Sequence, residues 1–108
     1  MKNTLKLKSI VFFTIIFYFF NSLAEVNEQC KNKEVKLFVK KSCIYCHKLI
    51  KVLKNYDFKY QVTDLAPRTV IATWLISSTK SNTVPYVYLD NKYIGGYSDF
   101  MKICITDK

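Results

Sequence analysis

The sequence is poor in several residue types, and each shortage excludes a class of protein. Its 108 residues include only two glycines and two prolines, too few for a collagen-like or linker-rich chain. Acidic residues are also scarce, since 8 Asp and Glu stand against 17 Lys and Arg, a formal charge of +9. Half of the residues are hydrophobic, so the chain can bury enough surface to fold and is not disordered. The length suits a single domain.

The longest apolar run lies near the N-terminus and is shorter than the roughly 20 residues that span a membrane. It extends from Ile10 to Phe20, follows three lysines, and precedes the small residues Ser22 and Ala24. These features predict a cleaved export signal over residues 1–24, with an uncleaved anchor or a buried helix as alternatives. Removing the three lysines leaves 14 basic and 8 acidic residues, a charge of +6. We expect a periplasmic or secreted protein that meets a membrane only if the leader stays uncleaved.

Hydrophobic patterns after residue 33 predict one α/β domain over 34–108, preceded by a polar lead-in over 25–33. The predicted order is β-α-β-α-β-β-α, with strands over 34–39, 58–64, 83–89 and 92–94 and helices beginning near 46, 67 and 98. Pro67 suits the first helical position, and Ser98 suits the N-cap of the last helix. The first two strands should be parallel because a helix joins them, and the last two antiparallel. A four-stranded mixed sheet flanked by helices follows.

Two cysteines lie at the predicted junction of the first strand and the first helix. Cys43 and Cys46 are separated by Ile44 and Tyr45, so that Cys46 falls one helical turn behind Cys43. Unpaired N–H groups and partial positive charge at a helix N-terminus favour a thiolate at Cys43, the more exposed sulfur. Cys43 could then attack a disulfide and Cys46 could resolve the mixed disulfide. A purely structural disulfide is the alternative.

The sequence resembles the glutaredoxins, which are small proteins of thioredoxin fold. Three motifs carry the resemblance over residues 34–103: Lys40 followed by Cys43-Ile44-Tyr45-Cys46, then Thr83-Val84-Pro85, then Gly95-Gly96-Tyr97-Ser98-Asp99. The resemblance implies a thiol–disulfide oxidoreductase that uses glutathione as co-substrate. Its substrates would be glutathionylated or disulfide-bearing proteins, and we expect a monomer that binds neither nucleic acid nor metal.

The resemblance also implies a role for each matching residue. Cys43 would be the nucleophile and Cys46 the resolving thiol of a redox-active disulfide. The implied glutathione-binding residues are Lys40, Tyr45, Thr83, Val84, Pro85, Ser98 and Asp99. Pro85 would be cis, and the Val84 backbone would pair with the cysteinyl part of glutathione. Ser98 and Asp99 would hold the γ-glutamyl end, and Lys40 would meet the glycyl carboxylate.

Two further cysteines lie outside the active-site motif. Cys30 precedes the first predicted strand, and Cys104 ends the last predicted helix, so the topology carries both to the pole opposite Cys43. A structural disulfide between them is therefore possible, and it would contribute about 4 kcal/mol in the chain-entropy model. A buried free thiol at Cys104 is the alternative.

Other functions remain open from the sequence. The family usually has proline where this chain has Ile44, and that proline is one feature thought to disfavour iron–sulfur clusters. A cluster held by Cys43 and glutathione thiols is therefore an alternative. The segment Cys43–His47 also reads C-x-x-C-H, the attachment motif of c-type haem, although such motifs usually follow helical sequence rather than a strand. A zinc site would need more ligands than Cys43, Cys46 and His47 supply.

Overall fold

The computed structural model describes residues 25–106, so the predicted leader over 1–24 lies outside the described residues. Ten elements follow one another in this range. They are β1 (Glu25–Val26), a 3₁₀ turn (Glu28–Cys30), β2 (Glu34–Val39), α1 (Ile44–Asn55), β3 (Lys59–Asp64), α2 (Thr69–Thr79), β4 (Tyr86–Leu89), β5 (Lys92–Gly95), α3 (Tyr97–Cys104) and β6 (Ile105–Thr106). Among residues 25–106, no helix is both long and apolar enough to cross a membrane.

The central sheet has the strand order β3-β2-β4-β5. Strands β2 and β3 are parallel over their whole length, from Glu34 opposite Lys59 to Val39 opposite Asp64. Strand β4 runs antiparallel to both β2 and β5, and the register with β5 shifts between Val87 and Tyr88. The C-terminal ends of β2 and β3 therefore lie at the same edge of the sheet as the N-terminal ends of β4, α1 and α3. The predicted α/β layout and mixed four-stranded sheet are confirmed.

Alternation along the strands places a separate apolar core on each face of the sheet. On one face, Val35 and Leu37 of β2 and Val87 of β4 pack with the buried side chains of α1 and α3. On the other face, Phe38 and Tyr86 pack with Leu75 of α2. Helices α1 and α3 thus share one face, and α2 covers the other alone.

The starts of α2 and β4 differ from the sequence prediction for local reasons. Helix α2 begins at Thr69 rather than at Pro67, because the Arg68 N–H donates to the Leu65 carbonyl and closes a turn first. Strand β4 begins at Tyr86 rather than at residue 83. The preceding Pro85 has no N–H to give to a neighbouring strand.

The segment predicted as a polar lead-in is packed into the domain. Strand β1 pairs antiparallel with β6, and the Asn27 N–H donates to the Cys104 carbonyl at 2.7 Å. The Asn27 and Gln29 side-chain amides both donate to the Ile103 carbonyl, at 2.7 and 2.8 Å. Cys30 is completely buried and forms a disulfide with Cys104, with 5.4 Å between the Cα atoms. The first residues that the structure describes are therefore held against the end of α3.

Candidate active site

Cys43 is the N-cap residue of α1, and its sulfur occupies the place of a capping oxygen. The Cys46 N–H donates to the Cys43 Sγ atom across 3.0 Å, and the Cys43 N–H donates to the Lys40 carbonyl at 3.2 Å. The Sγ atom therefore faces the first turn of a twelve-residue helix, where backbone N–H groups are unpaired. A thiolate formed here on reduction would accept the same N–H bond and lie at the positive end of the helix.

The two cysteines of the motif differ in their access to solvent. Cys43 is partly exposed, whereas Cys46 is only 1% exposed and packs into the core with Leu49 and Leu53. They form a disulfide with 5.2 Å between their Cα atoms. An incoming thiol can reach Cys43 but not Cys46, so the sulfurs are suited to attack and to resolution respectively.

The turn before Cys43 is held by a side chain of α1. The exposed His47 Nε2 atom lies 2.8 Å from the Lys41 carbonyl oxygen, which can only accept, so Nε2 carries a proton and donates. This bond ties the first turn of α1 back to residues 40–43. The same nitrogen, Nε2, would have to bind the iron if Cys43–His47 were a haem-attachment motif.

An open backbone edge lies beside the nucleophile. The Val84 carbonyl oxygen lies 3.7 Å from Cys43 Sγ, and the Val84–Pro85 peptide bond is cis. Within the described range, the Val84 N–H forms no hydrogen bond with the protein. Pro85 is buried and Thr83 is exposed, so this short segment presents its N–H and C=O next to Cys43. An extended peptide can pair with such an edge as an added strand.

The start of α3 forms the far side of the site. Gly96 is the N-cap, so Ser98 lies at the second helical position rather than at the N-cap that the sequence predicted. The Gly96 N–H donates to Asp99 Oδ2 at 2.9 Å. Gly95 has φ +121°, and a Cβ atom there would overlap the Asp99 carboxylate. This close approach and the positive φ explain why position 95 is a glycine.

A cavity of about 510 Å³ joins these segments. It is lined by Tyr45, Ser81, Thr83, Val84, Pro85, Tyr93, Gly96, Tyr97, Ser98 and Asp99. Six of the seven residues predicted to bind glutathione are in this lining, and the exposed Lys40 is not. The sequence reasoning missed Ser81, Tyr93, Gly96 and Tyr97, although Gly96 and Tyr97 lie within a quoted motif and could have been included.

Aromatic rings form the walls of the cavity. The Tyr45 and Tyr97 ring centroids lie 5.4 Å apart, which braces Tyr45 although it is 55% exposed. Tyr93 lies 5.4 Å from Tyr88 and 6.3 Å from Tyr86, measured between ring centroids. Burial, and then the charges of Tyr93 and Tyr88, raise the pKa of the Tyr86 hydroxyl above its usual value. The neutral Tyr86 hydroxyl thus keeps its hydrogen bond to the carbonyl of residue 81.

These observations define the class of protein. A helix that follows the first strand of a mixed sheet begins at a partly exposed cysteine, and a buried cysteine lies one turn further along it. An open peptide edge and a cavity adjoin the exposed sulfur. The protein is a thiol–disulfide oxidoreductase of thioredoxin-like fold.

Comparison with known proteins gives the family. Residues 35–94 match the family model Glutaredoxin, which covers more than half of the chain. Glutaredoxin-1 of Gallus gallus is 36% identical over 81 residues, covering 72% of this chain and 80% of the relative. Glutaredoxin-1 of Vaccinia virus (strain Copenhagen) is 30% identical over 84 residues, covering 72% and 78%. The chain belongs to the glutaredoxin family, whose members use glutathione as co-substrate.

Solved structures agree with this assignment. The buckwheat glutaredoxin–glutathione complex matches with a TM-score of 0.60 and 28% identity, covering 68% of this chain and 69% of the other. The C-x-x-C-H segment therefore serves thiol–disulfide chemistry at a strand-to-helix junction. Residues 25–106 hold no group of three or more His, Cys, Asp and Glu side chains arranged to bind a metal ion.

Proposed function

We propose that this protein is a glutathione-dependent oxidoreductase that releases glutathione from mixed disulfides and reduces protein disulfides. The observation that carries the proposal is the position of Val84 beside Cys43. Its carbonyl lies 3.7 Å from Cys43 Sγ and its N–H has no partner within residues 25–106. A cysteinyl residue that pairs with this edge would bring its own sulfur next to Cys43.

The cavity suits the rest of the glutathione molecule. The N-terminus of α3 and the Ser98 hydroxyl offer hydrogen-bond donors to the γ-glutamyl carboxylate. Asp99 uses one carboxylate oxygen to cap Gly96, which leaves the other for the γ-glutamyl ammonium group. Lys40 lies outside the cavity lining but adjoins Cys43 in the same turn, where it can reach the glycyl carboxylate. Tyr45 and the Thr83–Pro85 segment form the walls.

Removal of glutathione needs only Cys43. The Cys43 thiolate attacks the glutathione sulfur of a mixed disulfide, so that a Cys43–glutathione bond forms as the substrate bond breaks. The substrate leaves as a thiolate and takes a proton from water. A second glutathione then attacks the bound glutathione, which releases glutathione disulfide and restores the Cys43 thiolate.

Reduction of a protein disulfide uses both cysteines. Cys43 attacks one substrate sulfur, and the other departs as a thiol after protonation. Cys46 then attacks Cys43, which frees the second substrate thiol and leaves the Cys43–Cys46 disulfide seen in the structure. The substrate gains two electrons and the enzyme loses two, and two molecules of glutathione return them.

Replacing each cysteine with serine separates the two reactions. Cys43→Ser should abolish both, because serine cannot form the mixed disulfide. Cys46→Ser should keep deglutathionylation and lose the reduction of protein disulfides by the two-cysteine route. The measurement is the turnover of a glutathionylated peptide and of a protein disulfide with glutathione as reductant. Activity in the Cys43→Ser variant would contradict the assignment.

We also propose that the protein acts in an exported compartment. The apolar leader with its preceding lysines supports this location, and an oxidising compartment would maintain the Cys30–Cys104 bond. Fractionation of the native host, with N-terminal sequencing of the recovered protein, tests both points. Cleavage after Ala24 and recovery outside the cytosol are the expected results. A full-length protein in the cytosol would contradict the proposal.

A further inference from the structure

The surface next to Cys43 but outside the cavity carries charge of one sign. Four exposed lysines lie there, two in the turn before Cys43 and two on α1: Lys40, Lys41, Lys48 and Lys51. Within the described range, the ion pairs join Lys31 to Glu28 and Lys33 to Asp90, and none of these four lysines takes part. Lys40 is the lysine proposed above for the glycyl carboxylate, and Lys48 lies over the Tyr45 ring, a contact that does not neutralise its charge. The charges of Lys41, Lys48 and Lys51 are therefore available to a protein partner.

Helical spacing aligns two of these lysines with an apolar side chain. Ile44, Lys48 and Lys51 follow one another at intervals of four and three residues, so they share a single stripe of α1. We name this stripe the Ile44–Lys51 strip. Ile44 begins it beside Cys43 and is 68% exposed, so an apolar side chain is open to solvent next to the nucleophile.

The strip borders the cavity at Tyr45 without forming part of its lining. Tyr45 lines the cavity and packs against Tyr97, and the Lys48 ammonium lies over its ring, 5.2 Å from the centroid. No residue of the strip is itself in the cavity lining. Glutathione bound in the cavity would leave the strip uncovered. The strip is therefore free to contact the polypeptide from which glutathione is removed.

We propose that the Ile44–Lys51 strip selects protein substrates whose reactive cysteine is flanked by an apolar residue and by acidic residues. This inference rests on the proposed function and names its substrate class. The apolar side chain covers Ile44, and the acidic side chains lie along Lys48 and Lys51. Charge complementarity of this kind acts mainly by raising the rate of association, and salt screens it.

The chemical step is the one given above for mixed disulfides. The Cys43 thiolate attacks the glutathione sulfur, the Cys43–glutathione bond forms, and the peptide leaves as a thiolate that water protonates. The strip takes no part in the electron transfer. It contacts the peptide that leaves, so it changes the second-order rate constant of this first step.

Three glutathionylated peptides of equal length test the proposal in single turnover with the reduced protein. The first has glutamates and a leucine around its cysteine, the second has lysines and a leucine, and the third has glutamates and a serine. The measured quantity is the second-order rate constant of peptide release. A small uncharged disulfide, bis(2-hydroxyethyl) disulfide, reports the intrinsic reactivity of Cys43 in every variant.

Charge reversal on the strip is compared with charge reversal at the opposite pole. The wild-type protein should prefer the acidic leucine peptide to the basic one by about tenfold at low salt, and the preference should largely vanish at 0.5 M salt. Lys48→Glu with Lys51→Glu should invert the preference. Lys59→Glu with Lys92→Glu, an equal charge change where β3 and β5 begin, should leave the preference for the acidic peptide unchanged.

Ile44→Ser should remove the preference of about fivefold for leucine over serine.

The possible outcomes are distinct. Equal rates for the acidic and basic peptides in the wild-type protein, with normal reaction of the small disulfide, would refute the inference and leave the proposed function standing. A preference that both charge-reversal pairs change equally would also refute it, because only overall charge would then matter. No reaction of the wild-type protein with any of these disulfides would refute the proposed function itself. The salt dependence needs no variant, so a misfolded variant does not prevent the test.

Discussion

Replacing Cys30 and Cys104 together with alanine should destabilise the domain strongly while leaving the active-site cysteines in place. The two residues are completely buried and join the segment before β2 to the last turn of α3. Their sequence separation is 74 residues. The bond therefore closes nearly the whole described chain into a loop and restricts its unfolded state.

The expected magnitude follows from the length of that loop. The chain-entropy model gives about 4.5 kcal/mol at 25 °C for a loop of this size. A domain of this length has a total unfolding free energy of about 4–12 kcal/mol, so the bond supplies a large part of it. At about 4–8 °C per kcal/mol, the melting temperature should fall by roughly 18–36 °C. The hydrogen bonds of Asn27 and Gln29 remain and keep the loss from being larger.

Urea unfolding of the variant and of the wild-type protein, followed by circular dichroism, measures this change. The matched control replaces Cys43 and Cys46 with alanine, which opens a loop of only four residues. The same model expects about 2 kcal/mol for that control. Thiol titration adds a second test, because mild reductant should expose two thiols in the folded wild-type protein and four only after unfolding.

Either of two results would refute this reasoning. A loss below about 1 kcal/mol in the Cys30/Cys104 variant would show that closing the long loop does not stabilise this domain. Two free thiols in the air-oxidised Cys43/Cys46 variant would show that Cys30 and Cys104 do not pair.

Two other predictions concern the site. Gly95→Ala should cost about 1–3 kcal/mol and lower the affinity for glutathione, because the new Cβ would meet the Asp99 carboxylate at a φ of +121°. Unfolding and binding measured on the same variant check this, and a neutral effect on both would contradict the described geometry. Burial raises the pKa of Tyr86, so the folded protein should keep this phenol protonated above pH 10, where the unfolded chain ionises. Stability should therefore fall as pH rises through the folded pKa, and Tyr86→Phe should reduce that slope in unfolding curves recorded from pH 9 to 12.

Much of the site could be predicted from short motifs because each has a local physical cause. The Cys43-to-Cys46 spacing puts the second sulfur one turn behind the first on any helix that begins there. The Val84–Pro85 pair marks an extended segment without a donor at proline. The role of Tyr93 could not be predicted in this way, since its ring reaches the cavity only through the pairing of β5 with β4.

The element boundaries show where local signals mislead. Ser98 is a better N-cap residue than Gly96 by intrinsic preference, yet the helix starts at Tyr97. Gly96 has no side-chain acceptor, and the contact that fixes the start is the bond from its backbone N–H to the Asp99 carboxylate, three positions into the helix.

The sequence by itself determined the alternation of strands and helices and the order of the two reactive sulfurs. It did so because hydrophobic periodicity and helical spacing act between residues a few positions apart. Only the tertiary structure decided that Glu25–Val26 pairs with Ile105–Thr106 and that Cys30 meets Cys104. It also placed the carbonyl of Val84 beside Cys43. Such contacts join residues about 40–80 positions apart, and their geometry depends on how the whole sheet and its helices pack.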